Sequence, residues 1–117
     1  MSNEQRQHYD KEKDKEFIIE SFKKCISEKR EMDKLLEKII FPFINLKKYN
    51  ILDASCGIGQ ISYFLSEINK ESKFLGVDQT KYLIKEAEKL CKDKQNISFE
   101  VNDISKIVSK YPKKFDI

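Results

Sequence analysis

Apolar residues recur at helical spacing from Phe17 onward, and the pattern changes character near residue 49. Ile18, Phe22, Cys25 and Ile26 fall three or four apart, on one face of a helix. A charged break follows over 28–31. Met32, Leu35, Leu36, Ile39, Ile40 and Phe43 then resume the spacing. The two runs read as one long helix, or as two with a joint over 27–30. Pro42 is expected to end the second, because its ring blocks the preceding turn and it has no N–H to donate. The stripe reads as a packing face, with the sharper alternative that the helix also covers a ligand pocket. Ahead of it, residues 1–14 carry no periodic apolar signal and read as a frayed tail or a polar helix.

Beyond residue 49 short apolar runs alternate with helical patterns. Residues 49–54 read as a buried strand, and 59 or 60 to 68 as a helix. A polar turn over 69–73 leads to a second strand, Phe74-Leu75-Gly76-Val77, ending at Asp78. Thr80 is a candidate N-cap. The helix after it has Leu83, Ile84, Ala87, Leu90 and Cys91 on its apolar face. Residues 93–96 form a turn, and 97–101 alternate as a third strand ending at Asn102-Asp103. A short helical turn over 104–109 and a loop over 111–114 precede Phe115-Asp116-Ile117, which resembles the opening of a fourth strand. The alternation predicts an α/β fold, a Rossmann-like parallel sheet with right-handed helical crossovers. Residues 1–46 are then a helical extension and 47–117 the sheet-bearing half of a domain. Ligands bind such sheets beyond the carboxyl ends of the strands. Asp53, Asp78 and Asp103 each end a strand, which sets three carboxylates along one edge.

Composition narrows the partners. The 117 residues make one domain at most. They are 39% hydrophobic and 37% charged, with a net charge of +3 and both signs interleaved. That is a solvated surface rather than a nucleic-acid footprint, which shows as a basic stripe. Cys25, Cys56 and Cys91 are far apart, and His8 is the single histidine, so no zinc spacing exists and no metal is expected. Reduced thiols and a cytoplasmic location follow. The N-terminus is too charged for a signal peptide, and no apolar run reaches the length of a membrane span.

The chemistry centres on Ile51-Leu52-Asp53-Ala54-Ser55-Cys56-Gly57-Ile58-Gly59. Strand, tight loop and helix start offer backbone N–H groups and a carboxylate to a ligand. Gly57 and Gly59 let the backbone turn sharply and approach closely. Asp78 lies 78 − 59 = 19 residues past Gly59, where a carboxylate can accept both hydroxyls of a ribose. Asp103 could accept from an adenine amine, with Ile104 and Leu83 on either side of the ring. A dinucleotide would need G-x-G-x-x-G, and from Gly57 the chain offers only Gly57, Gly59 and Ser62. Asp53 before the loop would repel a pyrophosphate but suits a cation such as a sulfonium or an α-amino group. Each residue has a plainer reading. Asp53 could cap the next helix, Asp78 could serve a turn, and Asp103 a turn or an N-cap. Cys56 has no partner base in sequence reach and reads as loop packing; His8 reads as a solvated tail residue.

These residues resemble the motifs of class I S-adenosylmethionine-dependent methyltransferases. Leu52-Asp53-Ala54-Ser55-Cys56-Gly57-Ile58-Gly59 is similar to their first motif, an acid followed by G-x-G-x-G, with Ser55 where glycine is commoner. Phe74-Leu75-Gly76-Val77-Asp78 resembles their second strand, and Asn102-Asp103-Ile104 their third-strand motif. His8-Tyr9-Asp10 faintly resembles an upstream tyrosine motif that closes over the cofactor. The resemblance implies S-adenosyl-L-methionine as cofactor. It places Asp53, Gly57 and Gly59 around the methionine part, Asp78 at the ribose and Asp103 at the adenine, with Ser55, Gln79 and Ile104 also among the cofactor-binding residues. It implies in-line displacement at the methyl carbon, toward an unidentified acceptor, a small molecule or other. The family draws acceptor contacts and any base largely from the fourth strand onward, so no catalytic residue is named. The chain reads as a truncated methyltransferase, a fragment whose apolar first strand is an open edge inviting self-association. An NAD- or nucleotide-binding Rossmann module and an inactive remnant serving as an interaction module are the alternatives.

Overall fold

The computed structural model describes residues 12–44 and 46–117, without the side chains of 12–14, 25, 26 and 41. The tail 1–11, with His8-Tyr9-Asp10, lies outside the described residues. The helical region is two helices, α1 (Glu12–Ser27) and α2 (Glu31–Ile44). Arg30 makes the joint. Its backbone N–H donates to Asp33 Oδ2 (3.2 Å), and its guanidinium closes a fork on the same carboxylate at 2.9 and 2.8 Å. Pro42 lies inside the last turn of α2 rather than after it. It removes only a late bond of the ladder there, and the helix ends two residues on.

After α2 the chain winds as β1 (Asn50–Ala54), α3 (Gln60–Ile68), β2 (Lys73–Asp78), α4 (Lys81–Leu90), β3 (Ile97–Val101) and α5 (Ile104–Lys110). The strands form one parallel sheet in the order β1-β2-β3. Two apolar clusters fill one face. Ile51 and Phe74 pack with Ile44 of α2 and Leu65 of α3; Phe99 packs with Ile18 of α1, Ile58, and Leu83 and Ala87 of α4. On the opposite side of β3, Glu100 accepts from Lys110 Nζ (3.0 Å) and the Tyr111 hydroxyl (3.1 Å), which ties α5 to that face. The expected packing stripe of α2 is split. Ile40 and Ile44 turn to the core, whereas Met32, Leu35, Ile39 and Phe43 stay exposed.

The lower end of the sheet is pinned by polar side chains. Asn69 Nδ2 donates to the Ile44 and Lys47 carbonyls, and its Oδ1 accepts from the Glu71 and Ser72 N–H groups. Ser72 Oγ in turn accepts from Tyr49 N at 3.0 Å. Residues 116 and 117 lie along the outer edge of β1. Asp116 N donates to Asn50 O (2.7 Å) and Leu52 N to Ile117 O (2.9 Å). The far side of β1 is thus covered over its first half.

Candidate functional site

Asp53 is paired in register with Gly76, and Asp78 with Val101. The carboxylates are therefore stepped, not level. Each aspartate lies two residues further along than the partner of the one before it, about 6.6 Å at a strand's rise. The loop after β1 sits under this staircase. Ser55, Gly57 and Gly59 all have positive φ, at 53°, 60° and 79°. Three left-handed residues in five fold the loop tightly, and Cys56 N is left to donate to Val77 O (3.0 Å). Gly57 N donates to Asp78 Oδ2 at 3.0 Å, and Thr80 N donates to Asp78 Oδ1 at 2.9 Å. The buried Asp78 carboxylate thus locks the loop of β1 to the start of α4. Thr80 is the N-cap residue, but its hydroxyl makes no cap hydrogen bond; Leu83 N and Ile84 N donate to its carbonyl instead, at 3.1 and 3.2 Å.

Asp53 reaches the first turn of α3, where its Oδ2 accepts from the Ser62 hydroxyl at 2.7 Å and the Ser62 N–H also favours its ionised form. Burial pushes the Asp53 pKa above the usual carboxylate value; the Ser62 bond opposes this, and the Asp78 charge adds to it. Among the described residues no lysine or arginine stands within 4.0 Å of Asp53 or Asp78. Burial also drives the Cys56 thiol well above its ordinary pKa, with Asp53 and Asp78 adding to it. Cys56 is therefore a neutral packing residue.

Asp103 is the N-cap of α5. Its Oδ1 accepts from Ser105 N (2.9 Å) and Ser105 Oγ (2.8 Å), the service left open by the sequence. It also lines, with Gln79, Val101, Asn102 and Lys106, a cleft of about 260 Å³ beyond the ends of β2 and β3. Ile104 is half-buried and does not line that cleft. Leu83 is 2% exposed and packed in the core, so it cannot flank a bound ring as expected. The site also has members that no motif marked. The Phe22 ring of α1 lies over the loop, where a Cβ on Gly57 would come within 2.8 Å of Cε1. Phe99 covers Gly59 in the same way, at 2.7 Å. The helical period placed Phe22 on a packing face, yet only the fold shows that the face meets the loop.

Two observations bear on the ligand. Two neighbouring carboxylates lacking a cation make a negative site, which favours a positively charged group. Gln60 Oε1 and Thr80 Oγ1, at the starts of α3 and α4, are buried with no hydrogen-bond partner among the described residues. They are acceptors that a ligand amine or hydroxyl would satisfy. The residues fit a cation carrying hydroxyl and amine donors.

A family model described as a methyltransferase domain matches residues 45–117, well over half of the chain. The chain belongs to the methyltransferase-domain family. Solved structures give the fold. WbdD, solved with a kinase inhibitor, is similar at a TM-score of 0.62 and 23% identity, over 74% of this chain and 21% of that one. Coclaurine N-methyltransferase, bound to N-methylheliamine and S-adenosylhomocysteine, gives 0.54 and 14%, over 62% and 22% of the two chains. The [4+2]-cyclase SpnF gives 0.53 and 16%, over 61% and 27%. No curated protein matches. The methyltransferase-domain chain spans roughly a fifth to a quarter of the length of these proteins. The sheet is the Rossmann-like one of class I methyltransferases, as the strand motifs imply. Among the described residues no helix is long and apolar enough to cross a membrane.

Proposed function

We propose that this chain is the S-adenosylmethionine-binding half of a methyltransferase, acting on a small molecule or another acceptor. The observation that carries the reading is the link between the glycine loop and the second strand, Gly57 N to Asp78 Oδ2 at 3.0 Å, beside an Asp53 with no lysine or arginine within 4.0 Å among the described residues. In this reading Asp53, Ser55, Gly57 and Gly59 surround the methionine part. Asp78 and Gln79 take the ribose. Its two oxygens keep lone pairs beyond those used by Gly57 and Thr80. Asp103 meets the adenine at the cleft beyond β3, with Ile104 next to it in the chain. When bound, the cofactor supplies an activated methyl group on a sulfonium leaving group. The chain's part is to hold that cation against two carboxylates and to fix its orientation, so that proximity supplies much of the rate. The proposal extends to residues 47–117 as a cofactor-binding half, to a cytoplasmic setting for the free thiols Cys56 and Cys91, and to association through the part of β1's outer edge that residues 116 and 117 leave uncovered.

Calorimetric titration of the full chain with S-adenosylhomocysteine and with NAD tests this. Saturable binding of the first, lost in Asp78→Ala, is expected. Binding of NAD alone would make it a nucleotide module. Binding of neither, with no effect of the substitution, would make it an inactive remnant.

A further inference from the structure

A loop that holds a ligand has to be reachable, and the glycine loop is not. Residues 56–60 are all buried, Ile58 at 1% exposure, although they follow the end of a strand, where such sheets open to ligands. Ala54 and Ser55, just ahead of them, are exposed. Asp78 is buried as well. Much of the cover comes from α1. Its Ile18 packs in one cluster with Ile58, Leu83 and Ala87. Its Phe22 packs against the same cluster and sets its ring over Gly57. Phe99 does the like for Gly59, but that ring belongs to the sheet.

The helix itself is lightly held. Among the α1 side chains that the structure describes, Ile18 is buried, Lys15, Ile19 and Phe22 are half-buried, and the rest are exposed. Lys23 reaches Glu86 of α4 at 3.8 Å, and Lys15 the Tyr82 ring at 5.3 Å. Both ties lie at partly exposed positions, where such contacts contribute little. A helix keeps its own backbone bonds when it swings away, so opening breaks side-chain contacts only. The break in the helices at 28–30 offers a hinge, and the Arg30 fork on Asp33 holds α2 in place beyond it. Closure also carries a cost. Gln60 Oε1, at the end of the buried run, has no hydrogen-bond partner, and an unpaired acceptor destabilises the state that buries it.

We propose that α1 is a lid held shut over the glycine loop, and that Phe22 and a bound ligand exclude each other at Gly57. The ligand is the cofactor of the preceding section, on which this step rests. The measured affinity is then that of the open form multiplied by the fraction of chains that are open. Loosening the lid tightens binding even as it lowers stability. A side chain that formed a wall of the ligand site would do the opposite.

The test is calorimetric titration of the full chain with S-adenosylhomocysteine, in the parent and in two variants, with hydrogen exchange followed on the same samples. Phe22→Ala is expected to bind about tenfold tighter, and Ile18→Val, a milder change in the same cluster, about threefold. In both, the amides of residues 57–60 should exchange faster, ahead of those of β2. Binding that is unchanged or weaker in both variants overturns the proposal. Should Phe22→Ala fail to fold, Ile18→Val decides it alone. No binding by any of the three chains rejects the cofactor reading, while faster exchange at 57–60 still upholds the lid. Exchange there that keeps level with β2 overturns the lid as well.

Discussion

Ser55 occupies the left-handed region at φ 53°, which a side chain with a Cβ disfavours. In the sequence it stands out only as a departure from the glycine common at its motif position. Its backbone angle is the physical reason for that preference. Serine tolerates the turn at a cost, and Ser55→Gly removes the cost while loosening the unfolded chain. A net stabilisation of about 0.5–1 kcal/mol is expected, visible as a raised urea midpoint, with Ser55→Val moving it the other way. A lower midpoint for the glycine variant would mean that the Ser55 hydroxyl holds the loop. Asp103 shows where residue-level reading stops. An aspartate two residues before a serine serves equally as a cap or as a ligand contact, and only the placed Ser105 N–H at 2.9 Å shows the cap in use. Asp78 is the opposite case. Its strand-end position was legible from Phe74-Leu75-Gly76-Val77, yet of the two hydrogen bonds it accepts, the one from Gly57 N depends on a contact 21 residues away in sequence.

At the scale of elements, period and punctuation located every strand and helix after residue 49, while the expected fourth-strand opening at 115–117 is not a strand, although Asp116 and Ile117 bond along β1. Buried parallel strands and amphipathic crossovers have distinct periods, so the chain itself separates them. The helical extension was less legible. Apolar residues on α2 span a wide arc, and period alone does not say which part meets the core; Ile44 is 1% exposed while Met32 is 59%. Nor does it say that α1, and not α2, reaches the glycine loop. That helix rests on α3 and α4, with Phe22 over Gly57. Such a cover opens more readily than the sheet beneath it. Phe22→Ala is expected to destabilise the chain by about 1–3 kcal/mol. It should also speed hydrogen exchange of the Gly57 and Gly59 amides more than that of the β2 amides. Equal acceleration at both sites would show that α1 and the sheet open as one unit.

Over the whole molecule, acids divide by what surrounds them. The Arg30 fork holds Asp33 below the usual carboxylate range, and Asn102, Lys110 and Tyr111 do the same for Glu100. Those two favour the fold when ionised, and their contribution is lost as pH falls through their lowered pKa values. Asp53 has the opposite sign. Its folded pKa lies above its unfolded one, so between the two the native state holds the extra proton, and stability falls as pH rises through that window. The window opens near the unfolded value of about 4. Above the folded pKa, an ionised Asp53 beside Asp78 is a standing cost, tolerable where a cationic ligand is to be held. Asp53→Asn keeps an acceptor for the Ser62 hydroxyl and removes the charge. The variant is therefore expected to outlast the parent chain in urea at pH 8, with its advantage shrinking steadily toward pH 4. In calorimetry the same variant should bind S-adenosylmethionine more weakly by about tenfold. Neutral S-adenosylhomocysteine, which lacks the sulfonium charge, should lose less. An advantage that stays constant with pH would place the ionised form of Asp53 on the stabilising side. Equal losses for the two ligands would mean that Asp53 does not sense the sulfonium.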